Sequence, residues 1–262
     1  MSRPIRLGYI DLSFHAASAG VVQAILERDG HAVTLRTAPH EAMFELLGRG
    51  EVDLLASAWL PASHARYLAP HEAITQRLGV LYRPYCIWGV PDYVPEDAVR
   101  TVSDLLADAV LARMERRIQG INPGAGISRF SAAMVREYGL DRAGYHFETG
   151  SEADCFDGYE RAVAAGRWVV VPLWHPQYLH HRYRIRALEE PKGLLGGMDD
   201  ATLIVRRDAM PLIRPDTLAI LQALSLGNAT VTMLDHRVRK EGLSTLDAAR
   251  EWLRSARSGE AG

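Results

Sequence analysis

Val52-Asp53-Leu54-Leu55-Ala56-Ser57-Ala58-Trp59-Leu60-Pro61 is the stretch from which the rest of the chain can be read. An apolar run of this length, bounded by a proline, predicts a buried strand that ends at Trp59. The pattern returns as Trp168-Val169-Val170-Val171-Pro172-Leu173-Trp174-His175-Pro176, so Trp-x-Pro closes a strand twice, about 115 residues apart. Residues just past the carboxyl ends of strands in open α/β sheets line the ligand crevice. Two indoles at equivalent places in two similar halves, facing each other across a cleft, would form a box for a cation or a flat apolar group. The competing reading makes each a core tryptophan capped by a turn proline.

Outward from these strands, strand-like and helix-like segments alternate, which predicts an α/β fold with mainly parallel sheets. Ile5 to Ile10 reads as the first strand, Ser13 as an N-cap, and Ala16 to Arg28 as a helix stopped by Asp29-Gly30. Ala32 to Leu35 is a second strand and Glu41 to Arg49 a short amphipathic helix with Gly50 beyond it. A second set follows Val90-Pro91-Asp92-Tyr93-Val94: a strand at Ile118 to Ile121, helices at Arg129 to Tyr138 and Glu152 to Ala165, then the strand to Trp174. Thr202 to Val205 is strand-like. Helices are predicted at Pro211 to Leu224, Asn228 to Glu241 and Ser244 to Ala256, the last opened by a capping box of Ser244 and Asp247.

Composition narrows the function. With 48% hydrophobic and 24% charged residues the chain is an ordinary globular protein, and a net charge of -2 argues against a nucleic-acid partner. No apolar run approaches the 18 or so residues of a membrane span. Met1-Ser2-Arg3-Pro4 leads straight into the first strand without an apolar signal region or a lipobox cysteine. As written, the chain is expected in the cytoplasm. Cys86 and Cys155 make no framework.

Asn122-Pro123-Gly124-Ala125-Gly126-Ile127-Ser128 is the second feature. Its glycines let backbone approach a ligand, and the helix that follows presents free N–H groups and a positive dipole end, which suits a carboxylate. Neither the dinucleotide fingerprint nor the P-loop pattern is met. A plain strand-to-helix turn is the alternative, and Arg129 either adds charge to the anion site or is solvated. His175, His180 and His181, with His64 and His71, lack metal-ligand spacing and are expected to face solvent; no metal and no cofactor is expected. No nucleophile elbow or catalytic cysteine signature is present, and Asp199-Asp200 reads as a turn or cap pair.

Together these segments resemble the substrate-binding proteins of glycine betaine/choline/carnitine-type ABC transporters. The matching pieces, in order, are Gly8-Tyr9-Ile10, Gly50-Glu51-Val52-Asp53, Trp59-Leu60-Pro61, Val90-Pro91-Asp92-Tyr93-Val94, Asn122-Pro123-Gly124-Ala125-Gly126, Gly150-Ser151-Glu152, Trp174-His175-Pro176-Gln177-Tyr178, Leu188-Glu189-Glu190-Pro191, Met198-Asp199-Asp200-Ala201 and Ala248-Ala249-Arg250-Glu251-Trp252-Leu253. The resemblance implies a two-lobed, type II periplasmic-binding-protein-like fold with the ligand in a cleft between lobes. Two crossover strands, near Cys86 to Tyr93 and Thr202 to Arg206, would serve as hinge. Residues 1–90 plus 203–262 would form one lobe and 91–202 the other. It further implies a small quaternary-ammonium or zwitterionic ligand, an ABC transporter permease as partner, a monomer, a periplasmic location and no catalysis.

Aromatic rings cage the ammonium in that family. Trp59 and Trp174 match box positions, and Tyr85, Trp88 and Tyr178 lie near other segments. Where many members carry a tryptophan after the first strand, this chain reads Asp11-Leu12-Ser13-Phe14-His15, so either Phe14 or His15 substitutes for the missing ring or the box is incomplete. Gln177 stands where betaine binders often have histidine, and Gly124, Ala125, Gly126 and Ile127 supply backbone amides. Two other functions compete: a cytosolic sensor or retention protein, and a small-molecule enzyme on the same fold.

Overall fold

The computed structural model describes residues 3–259. In chain order the strands are β1 (Ile5–Ile10), β2 (Val33–Ala38), β3 (Leu54–Leu60), β4 (Thr75–Tyr82), β5 (Tyr85–Pro91), β6 (Arg117–Gln119), β7 (His146–Glu148), β8 (Val171–His175), β9 (Ile185–Ala187) and β10 (Asp200–Arg206). The α-helices are α1 (Ser13–Arg28), α2 (His40–Gly48), α3 (Ala65–Leu68), α4 (Asp108–Leu111), α5 (Gly126–Glu137), α6 (Glu152–Ala164), α7 (Leu179–Arg182), α8 (Pro215–Ala223), α9 (Gly227–Lys240) and α10 (Thr245–Gly259).

The chain divides into two units. The first runs to Pro84 and takes up Pro176–Tyr178 and the chain from Asp199 onward; the second is Tyr85–His175 with Leu179–Met198. The second unit therefore starts at Tyr85 rather than at residue 91, because β5 pairs along its length with β8 and β9. The chain passes between units at four places rather than two. β5 belongs wholly to the second unit and β10 wholly to the first.

In the first unit one sheet has the order β2-β1-β3-β10-β4. β1 lies parallel to β2 and β3, whereas β10 runs antiparallel between β3 and β4. The sheet is mixed, not mainly parallel: β10 arrives from the other unit and needs no crossover helix to pair in the opposite sense. Every residue of β3 is buried, as a strand covered on both faces requires. The packing is close. A Cβ on Gly8 would come within 2.7 Å of Met43 Sδ on α2, and one on Gly20 within 2.5 Å of the Thr245 carbonyl of α10.

Below the start of β3, Asp53 is buried and takes both arginines of the first strand region. Arg3 donates at 2.6 and 2.8 Å, Arg6 at 2.7 and 3.0 Å, and the Arg6 amide at 2.9 Å. Burial works to raise the Asp53 pKa; these donors outweigh it and hold the carboxyl well below the usual carboxylate range.

The second unit holds a three-stranded antiparallel sheet, β8-β5-β9, and a parallel pair, β6-β7. Its register sets Cys86 opposite Trp174, Trp88 opposite Pro172 and Tyr85 opposite His175. Opposite residues share a face, so Trp174 and Trp88 lie on one face and Tyr85 and His175 on the other.

Several boundaries move. α1 begins at Ser13, with Leu12 rather than Ser13 as the cap residue, in extended conformation (φ -143°, ψ 142°). α5 begins at Gly126 and so absorbs part of the glycine turn. β4 is a half-exposed edge strand whose weak alternation hid it. The Ser244 and Asp247 pair does cap α10: the Asp247 amide donates to Ser244 Oγ at 3.0 Å.

Candidate functional site

Trp59 sits at the carboxyl end of β3, paired across the ladder with Ala201. Its ring lies 5.2 Å from Phe14, 5.6 Å from His15, 6.2 Å from His64 in a stacked arrangement, and 6.3 Å from Tyr82 edge-on. Phe14 and His15 open α1 just after β1, so two parallel strand ends bring these rings together. The indole N–H donates to Tyr82 Oη at 3.1 Å. Burial pushes the Tyr82 phenol up to about 12, so this oxygen stays neutral.

The backbone around Trp59 is held as firmly as its ring. Its N–H donates to His64 Nδ1 at 2.9 Å, and its carbonyl accepts the His64 N–H at 2.8 Å. His64 Nδ1 accepts, so any ring proton sits on Nε2. Beyond the cis Leu60–Pro61 peptide, Asp199 receives the Ala62 amide at 2.6 Å, the Ser63 amide at 3.1 Å and the Ser63 hydroxyl at 2.7 Å. Asp199 thus is the turn clamp that its sequence context suggested.

His15 is buried, with Nδ1 2.5 Å from Ser57 Oγ. Burial, aided by His40, takes its pKa well below the ordinary histidine value, so the imidazole is neutral at physiological pH. Ser57 has φ +56°, a left-handed conformation unusual for a non-glycine residue, at the irregularity between β3 and β10. The result is a wall of neutral aromatic and imidazole faces around one indole. Such faces attract a cation and offer little to a ligand that needs hydrogen-bond donors.

Gln177 belongs to the same unit and is buried. The next residue, Tyr178, donates its amide to Asp235 Oδ2 at 2.9 Å, and its ring meets Arg239 and Lys240 of α9, each at 4.9 Å.

In the second unit Trp174 is buried and packs 5.7 Å from Phe156 of α6. Trp88 is fully buried and donates its indole N–H to Ser131 Oγ on α5 at 2.8 Å, so its polar edge is committed inside this unit. Tyr85, His175 and His180 form a stack, with centroids 4.8 and 3.5 Å apart. His64, His175 and His180 were expected to face solvent. Instead His64 is buried, and the other two stack beside a strand end whose carbonyl, on Trp174, accepts from His180 Nε2 at 3.0 Å. Burial lowers both the His175 and His180 pKa values; His180, with His175 beside it, falls to about 3. Among the described residues no three His, Cys, Asp or Glu side chains gather to hold a metal ion.

The glycine turn of this unit closes on itself. Arg129 Nη1 donates to the Gly124 carbonyl at 2.6 Å, and Ser128 Oγ to the Ile121 carbonyl at 3.1 Å. Ala125 is the extended cap residue, and Gly126 and Ile127 open α5, so their amides belong to the first helical turn and have no carbonyl one turn back. Amides at a helix start are donors of the kind an anion accepts. Arg129 braces the turn.

His64, Tyr82, Ser57, Asp199 and Asp235 were not singled out as binding residues from the sequence. His64 and Asp199 carried a signal in their spacing, one five residues after Trp59 and one in an Asp pair. Tyr82 and Asp235 carried none.

Comparison with known proteins agrees in one direction. Residues 3–255 match the OpuAC family, described as the substrate binding domain of the ABC-type glycine betaine transport system. A glycine betaine/carnitine transport binding protein, GbuC, of Listeria monocytogenes is 24% identical over 140 residues. That alignment takes in 53% of this chain and 45% of the relative, so under half of the relative's length is matched. Lactococcal OpuAC in its closed-liganded conformation with glycine betaine superposes with a TM-score of 0.84 at 21% identity, covering 98% of this chain and 97% of that one. The glycine betaine/L-proline-binding protein ProX from Borrelia burgdorferi gives 0.83 at 22%, covering 97% and 93%. A choline binding protein in complex with choline gives 0.81 at 19%, covering 97% and 89%. These likenesses establish a shared α/β periplasmic-binding-protein-like fold, and the family match over nearly the full length establishes membership: the chain belongs to the substrate-binding domains of ABC-type glycine betaine transport systems.

Proposed function

We propose that the protein binds a small quaternary-ammonium or zwitterionic solute, of the glycine betaine, choline or carnitine kind, and delivers it to an ABC importer on the outer face of the membrane. The aromatic cluster around Trp59 carries this reading. A trimethylammonium group has no N–H to donate, so its favourable neutral partners are ring faces. Trp59, Phe14 and His15, with His64 behind them, offer such faces, and every titratable member for which a direction is known is held neutral.

Trp174 is assigned as the second unit's ring, with Tyr85 beside its strand. The amides of Gly126 and Ile127, in the turn Gly124-Ala125-Gly126-Ile127, are assigned to a ligand carboxylate, with Gln177 as an uncharged donor. Trp88, committed to Ser131, is held inside the second unit. The partner is a transporter permease.

Thermal unfolding with glycine betaine, choline, carnitine, proline betaine, free amino acids and polyamines tests the reading. A ligand at a hundred times its dissociation constant adds about 2.7 kcal/mol, a shift of roughly 5 °C or more for a chain of this size. The expected result is a shift confined to quaternary ammonium compounds and abolished by Trp59→Ala and by Trp174→Ala in folded protein. A flat panel would overturn the ligand class.

A further inference from the structure

Asp235 is the buried acid for which the ligand cage, as described, has no use. It is fully shielded from solvent on α9. A bare carboxylate in such a place is expensive unless donors serve it. The Tyr178 amide is such a donor, to Oδ2 at 2.9 Å. Tyr178 directly follows Gln177. The carboxylate therefore holds the backbone next to a candidate ligand residue of the first unit, 57 positions away in sequence.

Pro176–Tyr178, only three residues long, belongs to the first unit although the chain on either side belongs to the second. All three residues are buried, and a charge-assisted hydrogen bond to the backbone adds to what holds them. The Tyr178 ring against Arg239 and Lys240 of α9 adds to the same anchorage. Burial raises the Asp235 carboxyl to about 6, against the pull of Ser13, the Tyr178 amide and Arg239.

We propose that Asp235 is a positioning residue of the ligand site, holding Tyr178 and through it the placement of Gln177. The proposal rests on the functional reading above for the identity of the ligand, and on geometry alone for the anchorage. Asparagine preserves the contact, since its amide oxygen accepts the Tyr178 N–H. Alanine does not.

The test compares wild type, Asp235→Asn and Asp235→Ala in two measurements, with circular dichroism establishing that each is folded at the working temperature. Hydrogen exchange by mass spectrometry follows the peptide covering 176–179. Titration calorimetry follows glycine betaine and choline at pH 7.5. In Asp235→Ala, exchange in this peptide should quicken about tenfold or more while the β1–β3 core stays protected, and affinity should fall about tenfold. In Asp235→Asn, exchange should stay near wild type and affinity within about threefold. Unchanged exchange in the alanine variant overturns the anchorage. Quickened exchange with unchanged affinity overturns its role in binding. An asparagine variant as weak as the alanine variant assigns the effect to charge and overturns positioning by hydrogen bond. Wild-type protein that binds neither ligand, yet shows the expected exchange pattern, refutes the ligand class and leaves the anchorage standing.

Discussion

Trp59-Leu60-Pro61 and Trp174-His175-Pro176 are the same tripeptide frame at the ends of two buried strands, yet the two are built differently. The first stays within one unit. Its strand is central in a five-stranded sheet, its ring is surrounded by Phe14, His15, His64 and Tyr82, and its turn is clamped by Asp199. The second ends β8, an edge strand of a three-stranded sheet, and its proline already belongs to the other unit. The histidine inside the second motif stacks with Tyr85 and His180. An identical tripeptide thus marks a hydrogen-bonded aromatic cluster in one place and a point of chain passage in the other. The residue after each strand end does the distinguishing: Pro61 leads to a turn that Asp199 can cap, while Pro176 leads to Tyr178 and its anchor on Asp235.

The largest expected effect follows from the crowding around Trp59. Trp59→Ala should destabilise the protein by about 3–5 kcal/mol in urea unfolding, and Trp59→Phe, which keeps a ring but strands the Tyr82 hydroxyl, by about 1–3 kcal/mol. If alanine proved no worse than phenylalanine, the ring cluster would not be a packed unit and the contrast with Trp174 would fail.

Next come the two acids that flank the motifs, which should respond to pH in opposite senses. Asp53→Asn removes the charge that Arg3 and Arg6 surround, with an expected loss of about 3 kcal/mol at pH 7. Its folded pKa is lower than its unfolded one, so its stabilisation is present above the unfolded value near 4 and disappears as pH falls. The gap between wild type and Asp53→Asn should therefore close on acidification. Asp235 has its folded pKa raised from 3.8 to about 6. Its protonated form is favoured by folding, so it stabilises below the unfolded pKa and loses that contribution as pH rises from about 4 to 6. Asp235→Asn should thus gain on wild type between pH 4 and pH 7, by about 2–3 kcal/mol. Paired urea titrations at pH 4.5 and 7.5 decide both signs.

The smallest effect concerns Ser57, whose φ of +56° has no counterpart beside Trp174 among the described residues. Ser57→Ala and Ser57→Gly both remove the hydroxyl that meets His15, and only glycine relieves the backbone. Glycine should be the more stable of the two by about 1 kcal/mol. Equal stabilities would mean the conformation carries no strain.

The length and apolar density of Val52 to Leu60 sufficed to place β3, and alternation of strand and helix placed most of the first unit. β-branched runs also located β8, though its start shifted from Trp168 to Val171. Where reading failed, the cause was tertiary. β10 could be seen as a strand but not as an antiparallel one, since direction depends on where the chain returns from. The second unit's start at Tyr85 depends on pairing with β8 and β9, partners far along the chain. The histidines read as solvated because a lone histidine in sequence says nothing about the rings it will stack upon.

The candidate site divides in the same way. Trp59, Phe14, His15 and the Gly124-to-Ile127 turn were legible, because strand ends and helix starts have local signatures that follow from backbone hydrogen bonding and side-chain periodicity. What holds them was not. Tyr82 beneath the indole, Asp199 under the turn and Asp235 at the Tyr178 amide act through contacts between segments far apart in sequence, and His64 through a turn that folds back on the Trp59 peptide. By itself, the sequence determined which strands are buried and where each one ends. Only the tertiary structure decided which buried polar group meets which, because that pairing depends on distances the folded chain alone creates.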